Sequence, residues 1–344
     1  MNKIINKALF YKEWINVKWA TLLTIIILLY FKIYGVMSGL NQIKISIKYK
    51  SNILNNRWFH DGLFGSQSYF IVMIFIVIIL AIILFIGEKT SETGGFIVSM
   101  PFTRKEIILN KWLVGVLSIL VSFVVTYITL SLIYVANIKI INTTLNPYSD
   151  IAKMVFIDGF QYICIFTFMM LIQTIMGNAI VSGIVGGMLL IVPYFIANVL
   201  QTVFERLQTQ TQYTFSFFYR ICNWVTTYTY ILTHPDWVKV ETNTIIQNNT
   251  YRLEVLIFFI LTCLFLYLTY VSYKKRNLEY NLRLIVFKNL EVVFRGGVAV
   301  CLGLLAGFVF SRGSLSSFGI YFVAFTIIGY FISKLLLKVL SLRK

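Results

Sequence analysis

Apolar residues in this chain come in long unbroken runs, and the charged residues collect between them. The first run, Trp19 to Met37, is long enough to cross a bilayer, whose hydrocarbon takes about 20 helical residues. Seven more runs predict spanning helices at about 68–87, 112–136, 156–177, 180–201, 253–273, 296–311 and 318–338. Six of these seven reach the required length with ease. The 296–311 segment is short and glycine-rich, with Arg295 and Arg312 at its ends. It reads either as a short span or as a re-entrant hairpin with the last segment. The pattern predicts an all-α fold: a polytopic transmembrane bundle of about eight helices.

Before the first run, Ile4, Ala8, Tyr11 and Ile15 fall on one helical stripe, with Lys3, Asn6, Lys7 and Glu13 away from it. That periodicity predicts an amphipathic helix over 1–18 lying on the inner membrane surface, with a plain extension of the first span as the alternative. Residues 19–273 then form a six-span core, and 274–344 a cytoplasmic connector with a C-terminal helix pair. Lys32, near the far end of the first run, is placed to snorkel to the headgroups.

Composition agrees with a bilayer as solvent. Of the 344 residues, 58% are hydrophobic and only 12% charged, against about a quarter charged in soluble domains. The net charge of +17 points to anionic headgroups and cytoplasmic loops, and no arginine-rich, aromatic-interleaved segment suggests nucleic acid. With the N-terminus inside, the inner segments hold 18 of the 30 lysines and arginines at roughly twice the density of the outer loops. Both termini are therefore expected in the cytoplasm of a plasma-membrane protein. Heavy use of Ile, Asn, Lys, Phe and Tyr fits an AT-rich bacterial genome.

Catalytic and metal motifs are absent. The "GEKT" at 87–90 has a glutamate between glycine and lysine and lacks the upstream glycine of a P-loop. Two histidines, His60 and His234, stand far apart, and no C-x-x-C pair occurs, so no metal site and no resident cofactor are expected. "GIVGGM" and "GGVAVCLGLLAG" read as small-residue faces for close helix packing. The centres of the predicted spans carry no ionisable group, and Asp158 and Glu254 fall near span starts. That pattern argues against an ion-coupled carrier and leaves the energy to come from another chain. Gln161 and Gln173 are candidate substrate-facing residues. The aromatic outer stretch at 202–252 suits an interfacial belt or a vestibule lining.

The most distinctive stretch is 87–112, "GEKTSETGGFIVSMPFTRKEIILNKW". Glu88 and Glu92 open it, Gly94 and Gly95 permit a break, and Phe96 begins an apolar patch that Pro101 ends. Thr103 and Glu106 then make a capping-box pattern for a new helix that includes Arg104 and Lys105. An apolar patch between charges suits docking on a partner, although on composition alone an ordinary inner loop fits equally.

This stretch resembles the membrane subunits of ABC-2-type ATP-binding cassette transporters. Glu88, Glu92, Gly94, Pro101, Thr103, Arg104, Ile107 and Lys111 occupy the places of that family's pattern. The 273–300 region, with Arg276, Glu279, Phe287 and Phe294, resembles the Ytr-type branch of Gram-positive bacteria. The resemblance implies a non-catalytic permease half that pairs with a second permease, identical or homologous, and with two cytosolic ATPase subunits carrying ATP and magnesium. It implies a coupling helix at 92–106, with Lys111 anchoring the third span at the headgroups. It also implies export of a peptide, antibiotic or other amphipathic substrate, and hence a link to antibiotic resistance. A non-transporting sensor or assembly module that binds an ATPase is the alternative. Eight spans where the family core has six set the last pair apart.

Overall fold

The computed structural model describes residues 7–49, 57–64, 67–89, 102–206, 251–276, 285–311 and 315–342. Among them are nine helices: α1 (Lys7–Lys48), α2 (Trp58–Phe64), α3 (Gln67–Lys89), α4 (Arg104–Ala136), α5 (Ser149–Ile175), α6 (Ala179–Arg206), α7 (Tyr251–Lys275), α8 (Lys288–Phe310) and α9 (Leu315–Leu342). Eight candidate spans are long and apolar enough to cross a membrane, the expected number. No strand occurs among the described residues, only an isolated antiparallel bridge between Met176 and Ile285.

Contacts divide the chain into two compact units. The first takes Met1–Leu84, Pro101–Leu171 and Ile231–Lys274, and the second takes Phe85–Met100, Ile172–Tyr230 and Lys275–Lys344.

In the first unit, α1 packs along α4 and receives α2 against its second half. Here the structure corrects the separate surface helix expected over 1–18. Residues 7–18 form the opening turns of α1, which continues unbroken for 42 residues. At 1.5 Å per residue such a helix is about 63 Å long, far more than the hydrocarbon core. Its buried face is also a different one: Leu9, Glu13 and Val17 point inward, while Ala8, Tyr11 and Ile15 are exposed. The stripe misled because, in lipid, an apolar face can point outward to solvent and a charged one inward to a partner. Ile4 lies outside the described residues.

The far end of α1 differs from expectation too. The helix runs on to Lys48 where an outer loop beginning at 38 was predicted, and α2 forms within that loop. Glycines make the α1–α2 crossing possible. A methyl group at Gly62 would stand 2.9 Å from the Gly35 carbonyl oxygen, and one at Gly39 would stand 3.0 Å from the Trp58 carbonyl oxygen.

α5 is the most enclosed of the candidate spans. It carries the fully buried Tyr162, which meets Tyr69 edge-on at 6.0 Å and stacks near Phe123 at 6.1 Å. Phe166 fills the space that Gly115 of α4 leaves open, and Trp112 donates to Thr167 Oγ1 at 3.0 Å.

In the second unit, α8 and α9 pack as an extensive pair. α8 has 23 residues, so the short 296–311 segment is part of a helix long and apolar enough to cross a membrane. Its glycines act as the sequence suggests at two places. A methyl at Gly303 would stand 2.8 Å from the Phe322 carbonyl oxygen, and one at Gly307 would stand 2.8 Å from the Phe318 ring. Gly296 and Gly297 meet nothing within 4 Å.

Candidate functional site: buried charge pairs and the root of α4

The start of α4 is where the 87–112 stretch enters the described structure. Glu92, Gly94, Phe96 and Pro101 lie outside the described residues, as do His234, Glu279 and the aromatic stretch from 207 to 250. From 102 to 206 the described residues run without a break. Thr103 caps α4, accepting from the Glu106 amide at 3.3 Å, and the Glu106 carboxylate accepts from the Thr103 amide at 2.9 Å. The capping box read from the sequence is therefore present. It opens a single helix of 33 residues, so Arg104, Lys105 and Glu106 belong to the first turn of the third span.

Arg104 and Lys105 are exposed, and Arg104 Nη1 donates to the Lys274 carbonyl at 2.8 Å, tying the root of α4 to the end of α7. Two turns further along, Lys111 departs from expectation. It is 1% exposed instead of reaching to headgroups. Its ammonium lies 2.9 Å from Glu13 Oε1 of α1 and also donates to the Leu84 carbonyl of α3. One buried cation thus joins α1, α3 and α4. Glu13 escaped the sequence reading because it stood in a segment assigned to the membrane surface, where a carboxylate needs no partner.

A second pair lies deeper along α1. Lys32 Nζ is 3.1 Å from Asp158 Oδ2 of α5 and donates to the Leu63 carbonyl of α2 at 2.7 Å. The same ammonium stands 4.1 Å from the centre of the Tyr69 ring, a cation–π distance. Lys32 does not snorkel, because α1 extends 16 residues past it, about 24 Å of helix. Asp158 is completely buried instead of reaching an interface. What is overturned is the expectation that Lys32 and Asp158 reach an interface: both are buried within the chain and paired with each other. A lone charge in hydrocarbon is prohibitive, but an opposite charge on a neighbouring helix makes it tolerable.

At α2 a third polar cluster forms. Asn146 Oδ1 accepts from the amides of Phe59 at 3.1 Å and His60 at 3.3 Å, and Tyr134 donates to the Asn146 carbonyl at 2.9 Å. His60 Nδ1 lies 2.8 Å from Asp150 Oδ2, and Lys153 reaches Asp150 Oδ1 at 3.1 Å. His60 is therefore a partner of a carboxylate, as a lone loop histidine gave no reason to expect.

Gln161 and Gln173 are both fully buried within the chain. Both amide atoms of Gln161 lack a hydrogen-bond partner among the described residues. Gln173, in the second unit, accepts from Lys89 Nζ at 2.5 Å and donates to the Ala179 carbonyl at 2.9 Å. Lys89 also reaches Ser182 Oγ at 2.9 Å, and Arg276 Nη1 points at the Gln173 carbonyl at 3.5 Å. Gln173 thus organises the turn between α5 and α6. Glu88, beside Lys89, is also buried. Among the described residues no cluster of three or more His, Cys, Asp or Glu could hold a metal.

These features define a polytopic helical membrane protein whose polar groups brace helices against one another. Residues 10–278 match the family described as ABC-2 family transporter protein, and the chain belongs to that family. The match takes in α1 to α7 and ends before α8, so the C-terminal pair lies beyond it. No curated protein and no solved structure matches the chain. Membership makes this a permease-type membrane subunit, of a kind that is generally non-catalytic and usually works with an ATPase partner.

Proposed function

We propose that this permease pairs with a second copy or a homologue and with two cytosolic ATPase subunits, and that it exports an amphipathic substrate such as a peptide or an antibiotic. The observation that carries the coupling part is the brace at the root of α4. A push delivered to the loop between α3 and α4 would meet a helix whose first turn is capped and whose Lys111 ammonium joins α1 and α3. Force at that point is shared among three helices instead of being lost in one. What supports the amphipathic substrate class is the aromatic content of the 202–252 stretch, which would suit a vestibule. The paired state of Lys32 and Asp158 also supports an external energy source, since each charge already has its counter-ion and neither is free to bind a coupling ion. Both termini in the cytoplasm of a Gram-positive plasma membrane, with ATP and magnesium on the partner, complete this reading.

The experiment is affinity purification of the tagged chain from its own host, followed by ATPase assay. It should recover an ATPase whose hydrolysis responds to substrate. Lys105→Glu, at an exposed site, should weaken that association while membrane insertion stays normal. Arg104→Glu should do the same and also loosen the tie to α7. A clean membrane extract with no ATPase attached would defeat the permease reading.

A further inference from the structure

We infer that α2 is a strap closed over the second half of α1, and that Lys32 is the latch that holds it shut. The inference uses the permease reading for one thing only, which is what the strap is for: a gate at the end of the spans away from the α3–α4 loop.

A seven-residue helix is too short to stand alone in water, so the shape of α2 depends on its docking. That docking is polar at both ends. Asn146 receives the amides of Phe59 and His60 near the first turn, and Lys32 donates to the carbonyl of Leu63 in the last. Between them Trp58, Phe59 and Leu63 are buried and form the seal, while the Gly35–Gly62 crossing lets the two backbones touch.

The ammonium of Lys32 is shared between two elements, the Asp158 carboxylate on α5 and the Leu63 carbonyl on α2. Any shift of α5 against α1 that withdraws Asp158 leaves a buried cation without its counter-ion. Lys32 must then move, and the strap loses its fastening. Movement of the central helix is in this way tied to release of α2, with Lys32 as the positioning residue between them.

The test uses the full-length chain with its partner ATPase in native membranes, with other cysteines replaced and Leu63→Cys as reporter. A membrane-impermeant maleimide is applied to both faces. With Lys32 and Asp158 intact, the reporter should label slowly. In the Lys32→Met/Asp158→Leu double variant, which removes both charges together, labelling should rise at least ten-fold while the melting temperature stays close to the parent's. Labelling within two-fold of the parent overturns the latch. Should the double variant not fold, Lys32→Met/Asp158→Asn with the same reporter takes its place, and a several-fold rise is expected. Because these arms need no ATP, they decide the latch independently of transport. Addition of ATP and magnesium to the parent should also raise labelling. If it does not, while the double variant labels fast, the gate reading is overturned and the fastening by Lys32 stands.

Discussion

The interior of the first unit and the α8–α9 pair are both helix packing, yet they are held together by different means. In the first unit, α1, α4 and α5 meet through Glu13–Lys111, Lys32–Asp158 and the contact between Gly115 and Phe166. In the α8–α9 pair, Gly303, Gly307 and Gly329 admit the partner backbone or an aromatic ring, and Phe310 stacks on Phe325 at 5.7 Å. Lipid tails are as apolar as leucine, so the hydrophobic effect does not drive helices together in a membrane, and close packing or polar contacts must. The steric solution is permanent. The ionic one can be undone by a small displacement, and it is found in the part of the chain that the ABC-2 family match covers.

The largest expected effect breaks the ionic side of this contrast. Asp158→Leu alone leaves the Lys32 ammonium buried without a counter-ion, and should cost about 3–5 kcal/mol, by analogy with other buried pairs. Lys32→Met alone should do comparable harm through the stranded carboxylate. The double change should recover most of the loss. Melting temperatures of the detergent-solubilised chain give the comparison, and single variants as stable as the parent would show that the pair is not buried as described.

The steric side breaks by overpacking. Gly303→Val would push a side chain against the Phe322 carbonyl and Thr326, and should cost about 1–3 kcal/mol. Crosslinking between cysteines placed on α8 and α9 would fall in proportion. Gly296→Ala, by contrast, meets open space and replaces a poor helix former, so it should be neutral or stabilising by up to about 1 kcal/mol. A loss of similar size at both glycines would mean that propensity, and not close approach, governs this helix.

The same contrast explains what the sequence made legible. Span number and helix type follow from apolar runs, because a bilayer admits few alternatives to a helix. The glycine face of α8 was visible as a small-residue pattern, and the capping box as Thr103 with Glu106. The ion pairs were not visible. Glu13 and Lys111 are 98 residues apart, and Lys32 and Asp158 are 126 apart, so no local periodicity links them. Lys32 and Asp158 instead lay close enough to predicted span ends to be given to an interface, and the family resemblance gave Lys111 to the headgroups. Reading α1 as 19–37 created the error twice, since it put Glu13 on a surface helix and Lys32 at an interface. A carboxylate and a lysine on the wrong faces of long apolar helices were the available signal.

Between these extremes stands Glu13→Gln. It keeps the shape and a weaker hydrogen bond to Lys111 but removes the counter-charge, which leaves a buried cation held by the Leu84 carbonyl. Stability should fall by about 1–3 kcal/mol, the range for leaving a buried group incompletely satisfied. Substrate-stimulated hydrolysis in the reconstituted complex should fall further than stability alone explains, because the three-helix junction would slacken. Equal losses in the two measurements would confine the pair to a folding role.

The smallest effect isolates the root of α4 from everything packed around it. Thr103→Ala removes the hydroxyl that receives the Glu106 amide and leaves the Lys111 junction untouched. Loss of such a cap costs about 1 kcal/mol, and fraying should be confined to the first turn. Amide hydrogen exchange at Arg104–Ile107 should quicken while that at Val114–Ile119 does not. If exchange quickens along the whole helix, the cap and the buried pair act as one unit, and the distinction drawn between local and ionic bracing disappears for α4.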